Sequence, residues 1–400
     1  MMIRRRHVAW SSLLLAAGVV APVRAADRRP LVIWYSVEGA KAVRRIGEAF
    51  TAATGVPVVV ETPDGIPARF QQAASGGKGP DICTFPHDRI GEYVAGGLVH
   101  AVSPSRALLA DIDPLAWRAM RWRGRDWGYP YAIDAVTLIY NKALVPRPPV
   151  SFDEVFEIEA RLSRQGRHAI VWDYTNNYFT WPLLAAGGGY AFRQREDGSY
   201  DPNDVGVANP GALRGAELLA RLVAEGVMPP GSGYAEMEAA MAQGRAAMMI
   251  NGAWSWVNLQ RAGIDFGVSR IPAVAGHRAA PFIGVRGFLI NRASAQREVA
   301  AEFIEHWLLR PEGLRLLDSA EPLGAPASRA LFAELRARPG LGDKVAGIMD
   351  SARDGLPIPP LPEMGRFWSA MKAALTNLTE GRQTPREALQ AAERRIRDSA

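Results

Sequence analysis

The chain has 400 residues, 48% hydrophobic and 22% charged, which is enough apolar material for a large core and suggests two or three domains. With 39 glycines and 29 prolines it fits neither a collagen-like nor a disordered composition. The formal charge of +6 invites a nucleic-acid partner, but residues 1–25 hold four arginines and no acid; without them 47 basic residues fall to 43 against 41 acidic ones, a balance of +2. A single cysteine, Cys83, excludes an intramolecular disulfide and a cysteine-rich metal site. The chain is also rich in tryptophan, with 11.

In chain order, Arg4, Arg5, Arg6 and His7 form a positive start, residues 8–20 an apolar stretch, and Val23-Arg24-Ala25 a small-residue cleavage site. This pattern predicts a secretory signal peptide over residues 1–25, with an uncleaved membrane anchor as the alternative. The paired arginines also permit the twin-arginine route, without its usual flanking residues. Leu31-Val32-Ile33-Trp34-Tyr35 reads as a strand buried on both faces. Val43, Ile46, Phe50 and Ala53 then follow at helical spacing, with Gly55 as a C-terminal cap. Residues 56–61 complete a β-α-β unit. A helix is expected near 66–75, a strand at 81–85, a helix near 87–95 and a hairpin across 122–127. Strands near 132–140, 168–173, 245–251 and 282–290 alternate with helices near 152–165, 179–187, 210–225, 234–243, 295–308 and 311–318. This alternation predicts α/β units with mostly parallel sheets. The Pro-rich residues 356–362 read as a rigid extended segment, either a spacer or a wall of a ligand site. Residues 385–399 read as a charged, solvated helix.

Catalytic signatures are scarce. No Gly-x-Ser-x-Gly, P-loop or His-Glu-x-x-His motif occurs. Gly187-Gly188-Gly189 lacks the Lys-Ser/Thr continuation of a phosphate loop and reads as a helix stop, and His87 has no partner at metal-ligand spacing. No cofactor or metal is expected. Aromatic residues instead recur beside ionisable ones in expected strand-to-helix loops: Phe85 with Asp88 and Arg89, Tyr131 with Asp134, residues 172–181 with five aromatics including Tyr178 and Phe179, Trp254 after a strand, and Trp368 after the Pro-rich segment. In α/β sheets such loops form the ligand crevice. A sugar needs this mixture, because its C–H faces stack on flat aromatics while its hydroxyls bond to carboxylates and guanidinium groups. The bland alternative is that the aromatics are core and Asp88 is a helix-terminal charge.

Taken together, Leu31-Val-Ile-Trp34, Gly79-Pro-Asp-Ile82, His87-Asp88-Arg89, Leu138-Ile-Tyr-Asn-Lys142, Tyr178-Phe-Thr-Trp-Pro182, Gly188-Gly-Tyr-Ala-Phe192, Ile250-Asn-Gly252, Pro322-Leu-Gly-Ala325 and Gly381-Arg-Gln-Thr384 resemble, in order along the mature chain, the periplasmic maltose/maltodextrin-binding proteins of bacterial extracellular solute-binding protein family 1. The resemblance implies an α/β, two-lobe periplasmic binding protein fold of type II, with the ligand cleft between the lobes. One lobe would comprise residues 26–133 and 288–334, the other 138–282 and 342–400. It further implies a non-enzymatic, monomeric protein of the periplasm that captures maltose or maltodextrin, delivers it to a membrane ABC importer by hinge closure, and can present it to a chemoreceptor.

By that resemblance Asp88, Arg89 and Asp134 fall on sugar-binding Asp, Arg and Glu positions, Tyr178, Trp254 and Trp368 on stacking aromatics, and Phe85 on a Trp. Phe179, beside Tyr178, joins the candidate ligand-binding residues. The departures are as informative. Glu38 is the candidate replacement for a ligand-binding Asp in a shortened first loop, Pro67 and Ala68 stand in place of two acids, Asn176 in place of a Glu, Ser369 in place of a Tyr, and Lys372 in place of an Arg. Arg286 is a cation where the family has a small apolar residue. These changes leave another saccharide such as trehalose open. A secreted glycosidase using Asp88 and Asp134 is the rival from another class, although nothing in the sequence sets the two carboxylates at catalytic spacing.

Overall fold

The computed structural model describes residues 29–195 and 198–397; the export signal expected over residues 1–25 lies outside the described residues. The expected β-α-β unit opens the fold. Strand Leu31–Trp34 pairs in parallel with Val58–Glu61, from Leu31 against Val58 to Trp34 against Glu61. The helix between them, Ala40–Thr54, buries Val43, Ile46 and Phe50 and stops at Gly55, whose φ of 73° lets its N–H reach the Thr51 carbonyl. The first strand is fully covered on one face only: Leu31 and Ile33 are buried, while Val32 and Trp34 are half-buried.

Two sheets organise the described residues. In the first, the strand order is Ala325–Pro326, Tyr129–Ala135, Phe282–Ile290, Ile82–Pro86, Leu31–Trp34 and Val58–Glu61, with Leu356–Pro357 alongside the start of Phe282–Ile290. In the second, it is Phe266–Ser269, Thr137–Asn141, Ala246–Asn251 and His168–Val171. Helices cover both, giving a mixed α/β architecture consistent with a two-lobe solute-binding fold. The expectation of mostly parallel sheets is corrected. Phe282–Ile290 runs antiparallel to both of its long neighbours, and Thr137–Asn141 is antiparallel to both of its own. Parallel pairing needs a crossover helix returning to the same sheet. These strands arrive from the other sheet and enter from the opposite end.

The single strand expected over 132–140 is two strands. Tyr129–Ala135 belongs to the first sheet and Thr137–Asn141 to the second, so the chain passes between sheets through Val136 alone. The Ser351 hydroxyl donates to the Val136 carbonyl at 2.8 Å, tying helix Gly342–Asp354 to this crossing. That helix packs on strands of both sheets, Phe266–Ser269 and Tyr129–Ala135. All nine residues of Phe282–Ile290 lie in the first sheet, so the return crossing is complete by Phe282.

The C-terminal helix, Pro385–Arg397, is not merely a solvated element. Ala388, Leu389, Ala392 and Ile396 are buried, and it docks on helices Met364–Thr379 and Pro210–Ala224. Its charges occupy the other face, which made it read as solvated. Gly187-Gly188-Gly189 is the helix stop expected, with Gly188 at φ 97°. There the backbones of two helices approach closely: a Cβ on Gly215 would sit 2.2 Å from the Leu183 carbonyl oxygen.

Candidate functional site

The second sheet supplies the aromatic side of the site. Asn176 caps helix Asn177–Ala185, its side-chain oxygen accepting the Tyr178 N–H at 3.1 Å. Its carbonyl is thereby committed to the helix, and Tyr178 is held at the first turn. Strand Ala246–Asn251 ends in a short 3-10 turn, Ala253–Ser255, that carries Trp254. A Cβ on Gly252 would lie 2.1 Å from the Trp254 ring, so only glycine lets the indole lie against the chain at this point. Tyr178 and Trp254 have ring centroids 6.3 Å apart and tilted by 42°. Phe179 lies beneath both, at 5.7 Å and 6.5 Å, and also touches Tyr234 at 5.9 Å. Phe179 is 5% exposed and Trp254 is 40% exposed. Phe179 therefore supports the aromatic face, and Trp254 presents it.

The first sheet supplies the polar side. Asp134 closes the Tyr129–Ala135 strand, opposite Gly284. The Tyr178 hydroxyl lies 3.8 Å from where a Cβ on Gly284 would be, which brings the aromatic and polar sides together. Burial raises the Tyr178 phenol pKa, and the nearby Asp134 and Asp88 raise it further. Asp134 is not a free acceptor. Arg286 holds it with two bonds, Nε to Oδ2 at 2.9 Å and a terminal nitrogen to Oδ1 at 3.4 Å. Burial raises the Asp134 pKa while Arg286 works against the rise. Arg286 also donates to Glu321 Oε1 at 2.6 Å, and the Ser36 hydroxyl donates to Glu321 Oε2 at 2.7 Å. Burial opposes its charge, but Asp134, Tyr131 and Glu321 keep the guanidinium pKa above its usual value.

Asp88 and Arg89 lie in the 3-10 turn His87–Arg89 after strand Ile82–Pro86. Burial raises the Asp88 carboxyl to about 6, with Arg89 opposing. Arg89 is paired with Glu92 at 3.7 Å. His87, fully buried, bridges two segments: its Nδ1 accepts the Val285 N–H at 3.1 Å and its Nε2 lies 3.0 Å from the Ile358 carbonyl. That second contact fixes the Pro-rich segment against the turn that carries Asp88 and Arg89.

A pocket of about 650 Å³ is lined by Glu38, Asp134, Arg286 and Glu321 on one side and by Trp254, Asn258 and Arg261 on the other. A second pocket, of about 660 Å³, has Arg270, Arg278, Asp350 and Asp354 but no aromatic side chain in its lining. Of these two, only the first combines carboxylates with an exposed ring. Of the expected residues, Glu38, Asp134 and Trp254 line it, and Tyr178 adjoins it. Trp368 is half-buried, with its ring 5.4 Å from Phe282 and 5.1 Å from Phe367, and does not line this pocket. Lys372, a turn further along the same helix, is exposed. Phe85 needs correction as a stacking residue. It is 4% exposed, with its ring 4.9 Å from Tyr93 and 5.8 Å from Phe70, because strand Ile82–Pro86 turns it into the core. Arg286 and Glu321 were not among the expected site residues. Arg286 stood out as a departure from the family pattern, but its two partners are 152 and 35 residues away in sequence.

Comparison with known proteins adds an independent line. Residues 45–332 match a family described as bacterial extracellular solute-binding protein. The chain is 27% identical to a galactooligosaccharide-binding protein of Bacillus subtilis over 91% of its own length and 88% of the relative's. It is 26% identical to a maltotriose-binding protein of Pyrococcus abyssi, over 87% and 77%. A maltooligosaccharide ABC transporter solute-binding lipoprotein of Streptococcus pneumoniae is 24% identical over 94% and 92%. No helix among the described residues is long and apolar enough to cross a membrane.

Proposed function

Since the chain belongs to the bacterial extracellular solute-binding proteins, we propose that it captures maltose or a short maltodextrin outside the cytoplasm and delivers it to a membrane ABC importer. The observation that carries this reading is the single pocket in which Trp254, with Tyr178 beside it, faces Asp134, Glu321 and Glu38. A pyranose ring fits that pairing. Its apolar face lies on the indole, and its hydroxyls donate to the carboxylates across the gap. The relatives named above are binding proteins, and no catalytic step is assigned to Asp88 or Asp134. In this reading the lobes follow the two sheets, and hinge motion occurs in the sheet-to-sheet connections at Val136 and residues 270–281. Closure stabilises the complex only through contacts that are better made when the lobes meet. The closed form is the one presented to the importer, and to a chemoreceptor where one reads it.

A second reading keeps the role and changes the sugar. Asp134 occupied by Arg286 is a departure from the maltose pattern, and one relative is named for galactooligosaccharides. Calorimetric titration with maltose, maltotriose, trehalose and galactobiose separates the readings. Micromolar binding of maltose or maltotriose is expected. Heat from galactobiose or trehalose alone moves the assignment to that sugar, and silence across the panel removes the saccharide reading.

The raised pKa of Asp88 gives a pH signature. The carboxylate is the better acceptor for a sugar hydroxyl, and it protonates through about pH 6. Affinity is therefore expected to be steady above pH 7 and to fall by up to tenfold per unit below 6. Asp88→Asn should remove the Asp88-linked part of this step. An identical profile in that variant would take Asp88 out of the site.

A further inference from the structure

The geometry points to Arg286 as a positioning residue and Glu321 as a further saccharide-binding residue: one guanidinium holds two carboxylates together on the pocket wall so that both accept hydroxyls from the same ligand. This rests on the saccharide reading above and extends it to two residues that were not among the expected ligand-binding residues.

Four of the five guanidinium N–H groups are spoken for by Asp134 Oδ1 and Oδ2, Glu321 Oε1 and the Leu323 carbonyl. The fork is therefore used within the protein, which argues for positioning and not for direct ligand contact. The backbone is shaped for it. The ladder between Phe282–Ile290 and Tyr129–Ala135 shifts register between Arg286 and Gly287, and such an irregularity re-aims a side chain. Arg286 is the one incompletely buried residue in the strand, and its guanidinium sits 5.5 Å over the Tyr131 ring. Two neighbouring carboxylates in a partly dehydrated wall repel, and one would take up a proton. A cation shared between them lets both remain acceptors. Both line the same pocket as Trp254, and Ser36 fixes the second oxygen of Glu321. A buried ion network of this kind adds little to stability compared with apolar packing of equal volume, so its presence at the pocket wall favours a binding role.

Two variants and one ligand-free measurement test the idea. Glu321→Gln keeps the shape and an oxygen for Arg286; it should lower affinity for the best saccharide of the panel at least tenfold, with the melting temperature little changed. Arg286→Lys keeps the charge and loses the fork. It should lower affinity to a similar degree, and in the unliganded protein the Asp134 carboxyl should titrate at a higher pH than in the wild type, read by carbon-detected NMR. Unchanged affinity in Glu321→Gln overturns the assignment of Glu321. An unmoved Asp134 titration overturns the clamp. If the wild type itself binds no saccharide, the proposed function fails and the role of Glu321 fails with it, while the Asp134 shift still decides whether Arg286 positions that carboxylate.

Discussion

Trp254→Ala is expected to weaken saccharide binding about 100-fold while leaving the fold intact. The side chain is a large indole, 40% exposed, at the wall of a pocket whose opposite side is ionisable. Covering about 100 Å² of aromatic face at about 25 cal/mol per Å² is worth about 2.5 kcal/mol, close to two orders of magnitude in affinity. Truncation removes that face and also one of the rings packed on Phe179. Trp254→Phe should recover part of the loss, because a smaller flat face remains. Titration calorimetry on the three proteins measures the effect, and equal dissociation constants for wild type and Trp254→Ala would remove Trp254 from the site. Circular dichroism of the alanine variant should match the wild type, since the residue is not core.

His87→Ala is expected to cost about 3–5 kcal/mol of stability. The imidazole is fully buried, and its removal leaves the Val285 N–H and the Ile358 carbonyl without their partner in addition to a cavity. Acid should produce a related loss in the wild type. Burial lowers the His87 pKa to about 4, from an ordinary value of 6.5. Between these values the unfolded chain binds a proton that the folded chain refuses, so this contribution is complete above pH 6.5 and drains away as the pH falls to 4. The difference amounts to roughly 3 kcal/mol. Urea denaturation at pH 7.5 and 4.5 checks both statements. The wild type should lose more stability on acidification than His87→Ala does, and parallel losses would show that His87 is not the group responsible.

Most of the elements were legible because local signals are strong. Gly55 ended its helix where expected, and the alternation of strand and helix located the first β-α-β unit and the strands beginning near 168 and 246. What failed was what depends on distant partners. The Tyr129–Asn141 region looks like one apolar strand, because nothing in its residues marks the change of sheet at Val136. Helices Arg106–Asp111 and Pro114–Met120 were missed, being too short to show a period, although Ser105 and Asp113 cap them visibly. At the site, Trp254 and Asp134 could be picked out from the family resemblance, and both line the one pocket. Phe85 could not be told from a stacking residue, since an aromatic at a strand end looks the same whether it faces the pocket or Tyr93. The Arg286 network draws Ser36, Asp134 and Glu321 from three separate segments, and no spacing rule connects them.

The one-residue crossing at Val136 bears on how this chain must fold. The first sheet places Phe282–Ile290 between Tyr129–Ala135 and Ile82–Pro86, so two strands made early have no neighbour between them until residue 290 has been synthesised. The second sheet is threaded into that gap. Long-range pairing of this kind is slow to form, because loop closure precedes any gain from contacts. A nascent chain shorter than about three-quarters of its final length thus lacks the strand that joins the Tyr129–Ala135 edge of its first sheet to the Ile82–Pro86 side, whereas every strand of the second sheet already precedes it in the chain.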